Sequence, residues 1–394
     1  MLITLSFVLG TCEYVVIGIL PNIAEELQVP ITQVGLLISV FAIVYSVGAP
    51  LITAYVSRFP RRGTTLVLMS LFVLGNIGCM MVPNYPLLAA SRVFLAMVSS
   101  ALISLSMTFA PDVAPRRYTP SVISWIFAGF NIASVVGVPL SMFITQYASW
   151  RAAFAFISLV SLLLLAMMFK YLPDRNPPPI SNIMQQMVLL KDKRIIMAVL
   201  AMILSGSSAY CFYTYLSPIF LEKMMLPENV IGIAFIVFGA AAIISNPSSP
   251  LLSKAGGMRN LWYVFAGQAA FSFILTFTMN SAVWGGITVF MLGLLMYLLN
   301  TPTQLYYLEI SRKFHPGTLA LAGSLTSSSY NVGIALGSSA GSFSVDAFGL
   351  GSVGLTGAAF AVLAAAVSFA LAAKIKKSRR TAIVRAKHIK SLHR

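Results

Sequence analysis

Twelve apolar runs, each long enough to cross a bilayer as a helix, follow one another along this chain with only short polar breaks between them. They fall at roughly 2–21, 33–55, 63–83, 87–110, 119–145, 152–172, 195–217, 229–252, 260–279, 283–306, 319–344 and 352–373. Crossing the hydrocarbon takes about 20 mostly apolar residues per helix. The runs are far too long for buried strands, and lipid obliges the backbone to satisfy its own hydrogen bonds, which a helix does. The fold class expected is therefore all-α integral membrane. Charged residues make up 9% of the chain, against about 25% in a soluble domain. The mean hydropathy is +0.88. Twelve spans nearly exhaust the 394 residues, so no sizeable soluble domain is expected. The first run has no basic residue before it and many similar runs after it, so it reads as a spanning helix and not as a cleaved signal.

The basic residues set the orientation. With the N-terminus inside, the connections after even-numbered helices are cytoplasmic. Those connections and the tail after Ala373 hold 23 of the 26 Lys and Arg residues, leaving Arg92, Arg151 and Lys223. The positive-inside rule then places both termini in the cytoplasm of a cell whose plasma (inner) membrane the chain crosses. The formal charge of +16 is thereby spread over topology signals, which argues against nucleic acid as a partner. The tail "KIKKSRRTAIVRAKHIKSLHR" anchors the end of the last helix, or touches anionic lipid.

The longest connection, 173–194, is Pro-rich at its start and lies near the middle of the chain. It reads as a cytoplasmic linker between two six-helix halves, 1–172 and 195–373, with 374–394 as a basic tail. The halves repeat each other. "FNIASVVGVP" (130–139) resembles "YNVGIALGSS" (330–339) at an offset of 200, and "GTCEYVVIGILPNI" (10–23) resembles "GSSAYCFYTYLSPI" (206–219) at 196. Pro50 matches Pro247 at 197. Repeated halves around a central cavity are one plan for secondary transporters.

Several segments together resemble the major facilitator superfamily, and within it the twelve-helix drug:proton antiporters, nearest to the arabinose and sugar efflux permeases. They are "EYVVIGILPNIAEELQV" in the first helix, "GAPLITAYVSRFPRRG" across the second connection, "SRVFLAM" in the fourth helix, "VVGVPLSMFITQYASWRAAF" from the fifth into the sixth, and "YNVGIALGSSAGS" in the eleventh. The likeness spans essentially the whole chain. It implies two pseudo-symmetric six-helix halves and proton-coupled efflux of a small organic molecule, such as a sugar or a drug. Uptake or facilitated diffusion is the alternative within transport. A non-transporting membrane sensor is the rival of another class. The cytoplasmic gating motif departs from the family pattern: Thr53 and Ser57 stand where a Gly and an Asp are usual, while the basic cluster Arg58, Arg61 and Arg62 remains. That cluster, with Gly137 and Pro139 of the fifth helix, is expected to take part in gating.

Glu13 is the acidic residue that stands near a midplane; the other nine lie in loops or near helix ends. An acid at a helix centre costs about 2.5–3.5 kcal/mol on insertion scales. Burial disfavours the charged form of a carboxyl and a nearby cation favours it, so a group under both influences takes up and releases a proton. The other reading is a neutral glutamic acid bonded to helix carbonyls as packing. In the repeat, Glu13 falls opposite Ala209, so packing does not require an acid there. Arg92, at a similar depth in the fourth helix, is its expected partner, directly or through water; snorkelling to the headgroups is the alternative.

Gly137 and Pro139 are expected to kink their helix and allow close packing. Gly333, Gly337 and Gly341 form a small-residue stripe suited to tight helix contact. Asn131 and Asn331, equivalent in the two halves, read as ligand donors or as interhelical bonds. Tyr14, Tyr45, Trp125, Tyr210, Phe212 and Tyr213 are candidates for the cavity wall, as are Asn300, Gln304 and Tyr306; aromatics are equally expected at the membrane interfaces.

Nucleotide and metal chemistry find no support in the chain. It has no G-x-x-x-x-G-K-[ST] loop to hold ATP, and no H-E-x-x-H pattern. Its histidines, His315, His388 and His393, fall in cytoplasmic segments. Cys12, Cys79 and Cys211 sit in apolar runs as small fillers. The expectation is a monomeric transporter, not an enzyme, without metal or cofactor. Its partners are a small-molecule substrate, protons and the lipid bilayer.

Overall fold

A computed structural model describes residues 1–56, 59–109, 119–173, 187–315 and 318–392. Arg58 and the linker positions 174–186 lie outside the described residues. The described chain is helical throughout, in twelve successive helices. The first half contains α1 (Leu2–Glu26), α2 (Ile31–Val56), α3 (Arg61–Met81) and α4 (Tyr85–Thr108). Its α5 runs from Thr119–Ile132 through a π-helical turn at Ala133–Gly137 into Val138–Tyr147, and α6 is Trp150–Tyr171. The second half contains α7 (Lys193–Tyr213, continued by Leu216–Pro218 and a π turn at Ile219–Lys223), α8 (Glu228–Lys254) and α9 (Leu261–Thr278). Then come α10, in two pieces (Ala282–Met296 and Asn300–Phe314), α11 (Leu319–Phe348) and α12 (Val353–Leu392).

Eleven segments of the described chain are long and apolar enough to cross a membrane. The twelfth, α11, is 30 residues long but rich in Ser and Gly, which suits a helix packed among other helices better than one facing lipid. The sequence runs and the helices agree closely, with differences inside α5, α7 and α10 and beyond the end of the twelfth run. The expected tenth run is interrupted at Tyr297–Leu299, and α12 continues as helix through the basic tail to Leu392.

Within each half the tightest contact joins equivalent helices. Gly137 on α5 abuts Thr11 on α1, where an added Cβ would meet Oγ1 at 2.8 Å. At the equivalent place, Gly337 on α11 lies against the main chain of Ser207 on α7, and a Cβ there would collide with the Ser207 carbonyl. The glycine stripe of α11 is thus a backbone-to-backbone packing surface. Gly337→Val must push α11 off α7, and it is expected to lower the unfolding midpoint in detergent by several degrees. Gly286→Ala, which adds a methyl to open space, leaves the midpoint unchanged.

The halves meet toward the face opposite the two chain ends. Ser39 on α2 bonds Ser338 on α11 (2.7 Å). Ser217 after α7 donates to the Gly18 carbonyl on α1 (3.4 Å). At the rim, Gln146 Nε2 donates to the Glu228 carbonyl (2.6 Å). These bonds join the two halves at that distal face.

At the other face, Asp192 caps α7. Its carboxylate accepts from the Arg194 N–H (2.8 Å) and guanidinium (2.7 Å), and His315 approaches at 3.4 Å. The bonds from Arg194 hold the Asp192 carboxyl down at about 2. An unfolded Asp titrates near 3.9, so the stabilisation is complete above about pH 4 and is lost as pH falls through about 2. An N-cap of this kind contributes about 1 kcal/mol. Asp192→Ala is expected to forfeit that at neutral pH, with the gap to the parent protein narrowing below pH 3 in thermal unfolding.

Candidate functional site: a buried carboxyl beneath a tyrosine cluster

Glu13 lies half-way along α1, buried with 3% of its surface exposed. Neither of its carboxylate oxygens bonds a described residue. Arg92 on α4 is fully buried beside it. Its fork, however, reaches the main chain of α1: Nη1 donates to the Cys12 carbonyl (2.5 Å) and Nη2 to the Glu13 carbonyl (3.0 Å). The Phe41 ring of α2 lies 4.2 Å from the guanidinium carbon, close enough for cation–π attraction. Cys12 is more than a filler, since its thiol donates to Asn76 Oδ1 on α3 (3.5 Å). Arg92 therefore ties the middle of α1 to α4 and places a positive charge near the Glu13 carboxyl without forming an ion pair with it. It does not snorkel to the headgroups.

Tyrosines lie in the neighbourhood of this carboxyl. Tyr45 on α2 and Tyr297 on α10 both lie within electrostatic reach of it. Tyr14 packs edge-on against Phe130 (centroids 5.8 Å, 72°). The equivalent pair in the second half, Tyr210 and Tyr330, has nearly the same geometry (5.9 Å, 82°). Tyr14 and Tyr210 are counterparts at the 196-residue offset, so one aromatic pair is repeated on either side of the interface. The Tyr210 hydroxyl lies against that of Tyr14, while the Tyr330 hydroxyl and Asn331 Oδ1 are buried with no partner of bonding geometry among the described residues. Polar atoms left bare in such a place favour a ligand that brings hydrogen bonds.

Among these site residues, charge departs from the repeat at two points. Glu13 aligns with Ala209, and Arg92, at the 197-residue offset between the starts of α4 and α10, aligns with Val289. The charges are confined to the first half.

The remaining expected residues are dispersed. Tyr213 is buried near Tyr210 (centroids 5.4 Å). Phe212 packs against Phe238. Gln304 accepts from Thr326 (2.6 Å) and donates to the Ala322 carbonyl (3.3 Å), joining α10 to α11. Asn331 Nδ2 donates within its own helix to Ser327 (3.1 Å). Asn300 opens the second piece of α10, and Tyr306 is buried farther along it. Trp125 stands apart, 60% exposed. The Asn131 side chain lies outside the described residues. Of the gating cluster, Arg61 is buried with its guanidinium over Phe109 (4.3 Å), and Arg62 donates to the Phe169 carbonyl (2.8 Å). Both contacts stay within the first half. Among the described residues no group of His, Cys, Asp and Glu is placed to hold a metal. Tyr297, Phe130, Tyr330 and Phe41 escaped the sequence reading, although the repeat carries a signal for two of them: it aligns Phe130 with Tyr330.

Residues 2–320 match the family model of the Major Facilitator Superfamily. The chain belongs to that superfamily. Its members are membrane transporters, not enzymes, and the chain is a multi-pass transporter of small molecules. It is 31% identical over 346 residues to the uncharacterized MFS-type transporter YtbD of Bacillus subtilis, covering 88% of this chain and 87% of that one. It is 26% identical to the inner membrane transport protein YdhP of Escherichia coli K12, over 94% of each chain. It is also 26% identical to a probable sugar efflux transporter of Helicobacter pylori, over 91% of each. Among solved structures it is similar to a bacterial homologue of the lysosomal transporter Spinster, inward-facing and occupied (TM-score 0.79, 15% identity, 95% of this chain and 96% of that one). It is similar too to a D-xylose-proton symporter (TM-score 0.73, 17% identity, 93% and 96%). At such identities the structural likenesses speak for the fold alone.

Proposed function

We propose that this facilitator exports a small organic molecule in exchange for protons, with Glu13 as the proton carrier. The observation behind this reading is a buried carboxyl, without a hydrogen-bond partner among the described residues, in one half of a repeated fold whose other half has alanine there. A carboxyl that protein bonds do not hold in one state is free to exchange its proton as its surroundings alternate between wet and dry. Arg92 sets the local field. Tyr14, Tyr45, Tyr210 and Tyr213, with Asn331, form the substrate wall, whose aromatic faces and bare polar atoms suit a small solute of mixed polarity. The sugar efflux relative supports export of a sugar-like compound, and a hydrophobic drug is the other candidate. A proteoliposome screen tests the reading, by following pH-gradient-driven movement of arabinose, nucleosides and a cationic dye. Uptake along the proton gradient would replace antiport with symport. Movement indifferent to pH would reduce the protein to a facilitator with Glu13 as a ligand group.

The same reading places both termini and the linker in the cytoplasm of a cell whose inner membrane the chain crosses. Single cysteines test this in intact cells. A membrane-impermeant maleimide is expected to label position 225, where Met225 is 82% exposed, and to spare position 182. The reverse pattern would invert the topology.

A further inference from the structure

Breaks in three helices meet at Ser134. In the π turn of α5, a five-residue step from the Ser134 carbonyl leads to Pro139, which has no N–H to give. That carbonyl accepts a bond from the Tyr213 hydroxyl (2.9 Å) of the other half. Tyr213 is the last residue of the first piece of α7. The Ser134 Oγ bonds the Tyr297 hydroxyl (3.0 Å), and Tyr297 sits at the interruption of α10, where its own N–H donates to Ser245 on α8 (3.2 Å). Beside this junction Val135 packs so tightly on Gly239 of α8 that a Cβ there would collide with it. One turn of the first half is thus held by two hydroxyls and a backbone groove of the second.

We propose that Tyr213 and Tyr297 are positioning residues of the transport cycle: they clasp Ser134 across the two halves and hold the distal face closed, and release of both hydroxyls accompanies its opening. The clasp uses the Pro139 break as its anchor. The break lowers the helix's own claim on the Ser134 carbonyl and so makes it a stronger acceptor for Tyr213. Once the halves part, water takes over the freed carbonyl and hydroxyls, so the clasp biases the closed state by only the net worth of two bonds. That makes it reversible, as a transporter requires.

The test needs no substrate. Spin labels at positions 147 and 283 report opening of the distal face, because Tyr147 ends α5, Val283 begins α10, and both are exposed. In the full-length protein, Tyr213→Phe and Tyr297→Phe are each expected to raise the long-distance, distal-open population relative to the closed one by roughly five- to tenfold. Ser134→Ala removes the Oγ and keeps the carbonyl, so it should reproduce Tyr297→Phe, and the two together should add nothing further. A structural role alone would lower the unfolding temperature without moving the distance distribution. Unchanged distributions in both tyrosine variants would overturn the proposal. If Tyr213→Phe fails to fold, the Ser134–Tyr297 cycle decides: full additivity, or no shift in either single variant, overturns it equally.

Discussion

Glu13→Gln is expected to abolish accumulation driven by a pH gradient while leaving exchange of substrate for substrate in place. Gln keeps the shape and polarity of the side chain but cannot titrate. Net antiport requires the carrier to cross its cycle once protonated and once empty of its proton; one-for-one substrate exchange does not. The loss in the coupled mode should reach two orders of magnitude or fall to background, with exchange within severalfold of the parent rate. Glu13 is buried and makes no side-chain bond to a described residue, so the substitution should cost little in folding. The two modes, measured in the same vesicle preparation, separate coupling from damage. If Glu13 were only packing, both modes would survive.

Arg92→Ala should be the most destabilising single change in the first half. It deletes two charge-assisted bonds to α1 and a contact with Phe41, and leaves a cavity in a fully buried place. Bonds of that kind contribute about 1.5–3 kcal/mol each and large-to-small core changes about 3–5 kcal/mol. The terms overlap, so a loss of about 3–5 kcal/mol is expected, read as a large fall in the unfolding midpoint. Arg92→Lys keeps a charge but not the planar fork that spans two adjacent carbonyls, and should fall between. In whatever folded protein survives, Arg92→Ala should also move the pH optimum of transport upward, since a carboxyl that loses a nearby cation gives up its proton less readily. Arg92→Lys should leave the optimum near its original place. Stability equal to that of the parent protein would show that the bonds from Arg92 to α1 carry no weight.

The sequence made the fold legible because a bilayer punishes exposed backbone so heavily that length and apolarity alone identify the helices. The two-half plan followed from offsets between similar segments, and the close packing of α11 from its small-residue stripe, although the stripe did not say which helix it meets. The breaks within α5, α7 and α10 were harder. Pro139 announced the first, and Pro302 in "LLMYLLNTP" carries a signal for the third: it has no N–H for the Leu298 carbonyl, which accepts from the Ser249 hydroxyl instead (2.7 Å). What the sequence does not show is that Ser245 and Ser249 offer their hydroxyls from another helix to the groups freed there. The proximity of Glu13 and Arg92 was legible from depth, yet the direction of the guanidinium was not. Helix carbonyls retain a spare lone pair that sequence patterns do not display, and the fork found two of them side by side. Tyrosines were visible as a type, but their arrangement around Glu13 is a property of the interface between the halves.

The proposed exchange of solute for protons is tested most directly by running it backwards. Vesicles containing the protein and a trapped pH indicator, with no pH gradient imposed, would receive an inward gradient of each solute that scores in the transport screen. Antiport through Glu13 requires protons to leave as solute enters, so the lumen should turn alkaline with the parent protein and stay unchanged with Glu13→Gln. Acidification on solute entry, or alkalinisation that persists undiminished in Glu13→Gln, would contradict it.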